Sequence, residues 1–138
     1  ENAMITTELT YLTWISLFSA LMWMPYTLNL ISVRGLIAAV SYPADPKPLA
    51  PWAVRMKQAH ANAIENLVVF GVLVLAAHSA GANNEATAVA CAVYFWARCI
   101  HLLAYTFSVP WIRTASFVAG FGCQFTIAAQ ILMQGVLL

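Results

Sequence analysis

Residues 55–66 read Arg55-Met56-Lys57-Gln58-Ala59-His60-Ala61-Asn62-Ala63-Ile64-Glu65-Asn66 before the chain turns apolar. At about 100° per helical residue, Arg55, Gln58, Asn62, Glu65 and Asn66 fall on one stripe roughly 100° wide. A second set, Tyr94, Arg98, His101 and Tyr105, is spaced i, i+4, i+7, i+11 and shares one face of its own helix. Together these types suit a polar, anionic, peptide-like ligand. Guanidinium groups meet carboxylates, a carboxylate meets an ammonium, amides meet amides and phenols add hydrogen bonds. The plainer alternative is a buried ion pair, Glu65 with Arg98 or with Arg55, that holds two helices together. Packing alone does not require so many polar groups in two seams.

Arg113 stands apart from both seams, three residues after Pro110 and beside Thr114. A cation at the entry to a helix, next to free backbone amides, can hold a thiolate or an oxyanion. Its plainer role is that of an interfacial arginine reaching lipid phosphates. His60 projects about 140° away from Arg55 on an ideal helix, which gives it a supporting role or a subunit contact. His78 reads as an interfacial residue. The histidines lack zinc-type spacing, and neither a Gly-rich phosphate loop nor a Gly-x-Ser-x-Gly elbow occurs. Cys91, Cys99 and Cys123 lie in apolar runs and read as packing residues.

The elements that must position these groups are set by composition. The chain has 138 residues, 62% hydrophobic and only 8% charged, with 6 Lys+Arg against 5 Asp+Glu. A soluble domain carries about 25% charged residues. That shortfall excludes a disordered chain, a basic nucleic-acid binder and a cytosolic globular fold, and leaves a membrane protein. The expected fold class is all-α. Four apolar segments, at about 9–33, 52–78, 85–107 and 111–138, each exceed the roughly 20 residues that a helical span needs. Helix is the spanning state because lipid offers the backbone no partners. Pro25 should kink the first helix rather than end it.

Residues 41–51 form a proline-rich, semi-extended loop, with Pro51 at the start of the second helix. Residues 79–84 form a tight turn with Gly81 available as C-cap and Asn84 as N-cap. Ser108-Val109-Pro110 separates the third helix from the fourth. Arg34, Lys47, Arg55, Lys57 and Arg113 gather on or near the first and third connections, whereas the other end carries Glu8 and Glu85. The positive-inside rule then places those two connections in the cytoplasm and both termini outside. Glu1-Asn2-Ala3 ahead of Met4 reads as an expression scar, which leaves 4–138 as one domain without a cleavable signal peptide.

The run Arg55-x-x-Gln58-Ala59-His60-x-Asn62-x-x-Glu65-Asn66, followed by Phe70, resembles the second-helix signature of the MAPEG family, the membrane-associated proteins in eicosanoid and glutathione metabolism. The later run Ala97-Arg98-x-x-His101-x-x-Ala104-Tyr105, a short proline turn, Arg113 and the small residues through Gly120-Phe121-Gly122 agree with it. The resemblance runs from Met4 onward and is nearest to short bacterial members, which implies the bacterial inner membrane. It implies a four-helix transmembrane bundle assembling as a homotrimer. Glutathione would be the co-substrate, held between neighbouring subunits near the cytosolic side, with a lipophilic substrate entering from the bilayer.

Residue by residue, the resemblance implies that Asn62 and Glu65 hold the peptide and amino ends of glutathione. His101 and Tyr105 contribute from the third helix, and Arg34 with Arg98 meets carboxylates. Arg55, Gln58, His60 and Thr114 complete the binding set, and Arg113 is the catalytic residue that stabilises the thiolate. The implied activity is that of a glutathione transferase or peroxidase. Gln58 and Lys57 stand where several glutathione-using relatives carry arginine, and Thr114 where one branch has serine. These departures weaken a carboxylate clamp and motivate an alternative, a non-catalytic membrane trimer that binds a small anionic ligand or lipid.

Overall fold

A backbone that must satisfy itself in lipid is expected to fold as helices, and among the described residues it does. The computed structural model describes residues 4–136, so the Glu1-Asn2-Ala3 segment and the last two residues lie outside it. The helices are α1 (Thr7–Leu21), α2 (Trp23–Arg34), α3 (Leu36–Val40), α4 (Pro51–Ser79), α5 (Glu85–Thr106) and α6 (Pro110–Val136). Four stretches are long and apolar enough to cross a membrane: Thr7–Arg34, Pro51–Ser79, Glu85–Thr106 and Pro110–Val136. This is the organisation of a multi-pass integral membrane protein.

The first span is interrupted once, at Met22. Pro25 has no N–H to give the carbonyl of Leu21, and its ring crowds that carbonyl. Met22 keeps right-handed helical angles, and its N–H closes a tighter bond on Ser19 O at 3.4 Å. The proline therefore interrupts the regular helix without ending the span. Gly35, at φ 80°, ends α2. The five-residue α3 that follows is not expected from the sequence, where nothing marks a helix between the first span and the proline loop. That loop is pinned at both sides: Arg34 Nε donates to Lys47 O at 2.7 Å, and Ala50 N–H donates to Asn29 Oδ1 at 3.0 Å.

Each remaining end carries its own device. Pro51 opens α4. Gly81, at φ 64°, lets Ala82 N–H reach Ala77 O at 2.9 Å and Gly81 N–H reach Ser79's neighbour His78 O at 3.2 Å, a Schellman closure. Asn84 and Thr87 exchange bonds as a capping box, with Thr87 N–H on Asn84 Oδ1 at 3.0 Å and Asn84 N–H on Thr87 Oγ1 at 2.8 Å. The α5–α6 corner repeats the Schellman pattern with Ser108 at φ 62° in place of glycine, and Val109 N–H on Ala104 O at 2.8 Å.

Helix α5 is the most enclosed element and packs on α1, α4 and α6. Its Tyr94 ring stacks on Phe70 of α4 at 3.8 Å and 7°, among Ile15, Val74 and Ile127. A second apolar cluster, Met22, Met56, Ala59, Ala63 and Leu102, lies further along the bundle. Alanines at the crossings let helices approach closely, as membrane bundles require. Large apolar side chains such as Trp14, Val68, Trp96 and Phe125 point outward.

One buried polar contact ties α1 to α5. Thr87 is fully buried and its hydroxyl donates to Glu8 Oε1 at 2.7 Å, while the carboxylate of Glu8 is itself 5% exposed. Thr87→Val keeps the shape, removes this bond together with the capping bond that Oγ1 accepts from Asn84 N–H, and strands the carboxylate. Stability should fall by about 1–3 kcal/mol, read as an earlier thermal transition in detergent, whereas Thr87→Ser should stay near wild type.

Candidate functional site

The spacing of α5 turns Tyr94, Arg98 and His101 inward because α4 and α6 flank that face. All three are buried, and Arg98 is only 2% exposed. Arg98 Nη2 donates to Asn62 Oδ1 at 2.8 Å. Asn66, one turn along α4, donates through Nδ2 to Asn62 O at 2.9 Å and to Asn62 Oδ1 at 3.3 Å. Gln124 of α6 donates to Asn66 O at 3.2 Å. A chain of polar contacts therefore crosses from α5 through α4 to α6. α6 packs against this seam at Gly120, where a Cβ would make ordinary van der Waals contact, 3.7 Å, with Arg98 Cδ and the Tyr94 ring.

Beyond Asn62 the three helices line an open cavity of about 190 Å³, formed by Asn62, His101, Tyr105, Arg113, Thr114 and Phe117, the last three exposed. The Arg113 guanidinium lies over the Tyr105 ring, 5.1 Å from its centroid, a cation–π distance. The His101 ring sits 5.7 Å from Tyr105 and 6.2 Å from Phe117, and its buried Nδ1 has no partner among the described residues. The corner at Ser108 and Pro110 delivers Arg113 to the first turn of α6, next to that helix's free amides. A cation, a phenol, a hydroxyl and an amide converge here, which is the chemistry of an anion or thiolate site. A larger groove of about 820 Å³ between α5 and α6, walled by Val89, Val93, Ala119 and Cys123, is apolar and suits hydrocarbon rather than charge.

Of the residues expected from sequence, Asn62, His101, Tyr105, Arg113 and Thr114 meet at this cavity. The rest lie elsewhere in the single chain. Arg98 stands behind Asn62. Arg55 Nε donates to Thr106 O at 2.9 Å, a cation at the negative end of α5. Gln58 is exposed and touches the site only through a long 3.5 Å contact from Tyr105 OH. His60 Nδ1 pairs with Tyr26 OH of α2 at 2.7 Å, off the seam as its angle implied. Arg34 serves the proline loop. Glu65 is exposed, so the ion pairs weighed for it give way: Arg98 takes Asn62, and Arg55 takes a carbonyl.

Two residues escaped the sequence reading. Phe117 forms the apolar wall of the cavity, and its place four residues after Arg113 on the same face of α6 could have marked it. Gln124 carried no such signal, because a lone glutamine in an apolar helix does not reveal its partner. Cys91 and Cys123 are free and buried in the core.

Arg55 is thus a clamp on the end of α5 rather than part of the cavity wall. Arg55→Met should cost about 1 kcal/mol and speed amide hydrogen exchange in residues 104–109. Unchanged exchange there would contradict this role.

A search of curated proteins finds no match. The family model of the MAPEG family matches residues 12–133, nearly the whole chain. That family comprises membrane proteins of glutathione and eicosanoid metabolism, among them glutathione transferases and peroxidases as well as members without catalysis. By this match, and with four membrane-length helices in the described residues, the chain belongs to the MAPEG family.

Proposed function

We propose that this chain is a membrane-bound glutathione transferase or peroxidase that acts on lipophilic electrophiles. The observation that carries the reading is the cavity where Arg113, lying over Tyr105, faces Asn62, His101 and Thr114. A free thiol has a pKa of about 8.5 and is mostly protonated at neutral pH. A fixed guanidinium favours the thiolate, and each unit of depression corresponds to roughly 1.4 kcal/mol. The thiolate then attacks an electrophilic carbon, forming the S–C bond as the leaving group departs. With a hydroperoxide it attacks oxygen, the O–O bond breaks and the alcohol leaves; a second glutathione converts the sulfenic acid to disulfide and water. The apolar grooves along α5 and α6 offer such substrates a route from the bilayer.

Two features support a neighbouring copy with the ligand between subunits, in the homotrimer that the family resemblance implies. The cavity of about 190 Å³ is smaller than the roughly 300–1,000 Å³ typical of ligand pockets, so one chain supplies only part of a wall. Glu65 is exposed on a membrane-length helix, where lipid contact costs about 2.5–3.5 kcal/mol. A neighbouring copy removes that cost and lets Glu65, with Gln58 and Arg34, face a bound glutathione. The basic residues at the α2–α4 and α5–α6 connections support a cytoplasmic position for that end in the bacterial inner membrane, with both termini outside.

One observation favours the non-catalytic alternative: Arg55 is committed to Thr106 and position 58 is a neutral glutamine, which leaves Arg113 as the one cation lining the cavity among the described residues. Activity separates the two. Purified protein should conjugate glutathione to a chloronitrobenzene, and Arg113→Ala should lower kcat/KM by about 100-fold or more while the helical content stays constant. Binding without conjugation would support the non-catalytic reading. Neither binding nor conjugation would end the glutathione reading altogether.

A further inference from the structure

The orientation of the Asn62 amide is dictated by its neighbours. Arginine has donors only, so the Asn62 atom 2.8 Å from Arg98 Nη2 is the carbonyl Oδ1. Asn66 agrees independently. Its Nδ2 donates to the backbone carbonyl of Asn62 at 2.9 Å, which fixes its own amide, and the same group reaches Asn62 Oδ1 at 3.3 Å. Gln124 steadies the turn by donating to Asn66 O at 3.2 Å. Oδ1 is thus satisfied by two donors, Asn62 lines the cavity, and its NH₂ group donates to none of the described residues.

We infer that Arg98 and Asn66 are positioning residues that hold Asn62 as a hydrogen-bond donor toward the cavity. That subsite then takes an oxygen acceptor, a carboxylate or an amide carbonyl, and rejects an ammonium or N–H at the same point. Arg98, at 2% exposure, acts through Asn62 rather than on the ligand. Turning the amide over would set NH₂ against guanidinium with no acceptor between them, inside an apolar bundle where unpaired donors are costly. The inference rests on the glutathione reading only for the identity of the ligand, since the amide orientation belongs to the free protein.

Asn62→Asp tests it by sign. One carboxylate oxygen keeps both bonds from Arg98 and Asn66, while the other puts an acceptor where the NH₂ stood. In detergent this variant should melt at or above wild type, whereas Asn62→Leu, which leaves Arg98 unpaired, should melt several degrees lower. Glutathione affinity by calorimetry should fall about 10- to 100-fold in Asn62→Asp. Arg98→Lys, which conserves a donor, should keep most of the affinity that Arg98→Met loses. Tighter glutathione binding by Asn62→Asp would overturn the inference, and so would a melting temperature as low as that of Asn62→Leu. If wild type binds no glutathione, the glutathione reading fails by itself, and the melting comparison decides the amide orientation.

Discussion

A guanidinium sealed between apolar helices is the constraint on which the rest of this molecule turns. A charge at the centre of a bilayer costs about 2.5–3.5 kcal/mol on insertion scales, so Arg98 must face protein. At that point the protein offers it Asn62 on α4, and α6 packs beside its aliphatic stem at Gly120. The bond between Arg98 and Asn62 fixes the rotation of α5 against α4, and Asn66 with Gln124 extends the connection to α6. The stack of Tyr94 on Phe70, one turn away, completes the same interface with apolar surface.

That arrangement divides the polar residues by task. The seam of α5 lies inside the bundle and holds it together as it shapes the cavity. The seam of α4 straddles an edge: Asn62 and Asn66 turn inward, whereas Gln58 and Glu65 turn outward. Arg113 reaches the cavity from a third direction because the left-handed Ser108 and Pro110 make the α5–α6 corner tight. A short chain with few charges thus uses one arginine for architecture, Arg98, one for a helix end, Arg55, and keeps one, Arg113, at the mouth of the cavity.

Much of the fold could be read from the residues because each boundary has a local cause. Pro51, Gly81, Asn84 and Pro110 mark ends that the structure reproduces within a residue or two, and the first span breaks its regular helix at Met22, where the missing N–H of Pro25 falls, and resumes at Trp23. Helix α3 was not legible, since five residues between Gly35 and a proline-rich loop are too few to display a period. Periodicity also placed Arg98 and His101 on one face correctly. It could not name their partners, because spacing fixes angles within a helix and says nothing of the rotation of its neighbour. Glu65 as the partner of Arg98 failed on that point, and the bond between Glu8 and Thr87 joins residues 79 apart that no spacing connects. Five residues that line the cavity were legible because polar types stand there on membrane-length helices, where apolar ones would be cheaper.

The central claim, that this cavity binds glutathione and holds its sulfur as a thiolate, is tested most directly by ultraviolet difference spectroscopy. Glutathione is titrated into the detergent-solubilised protein at neutral pH, and the thiolate absorbance band is followed. A saturable band in wild type, absent in Arg113→Ala at saturating glutathione, is the expected result. Glutathione bound to saturation with no thiolate band in wild type, or with the same band in Arg113→Ala, would contradict it.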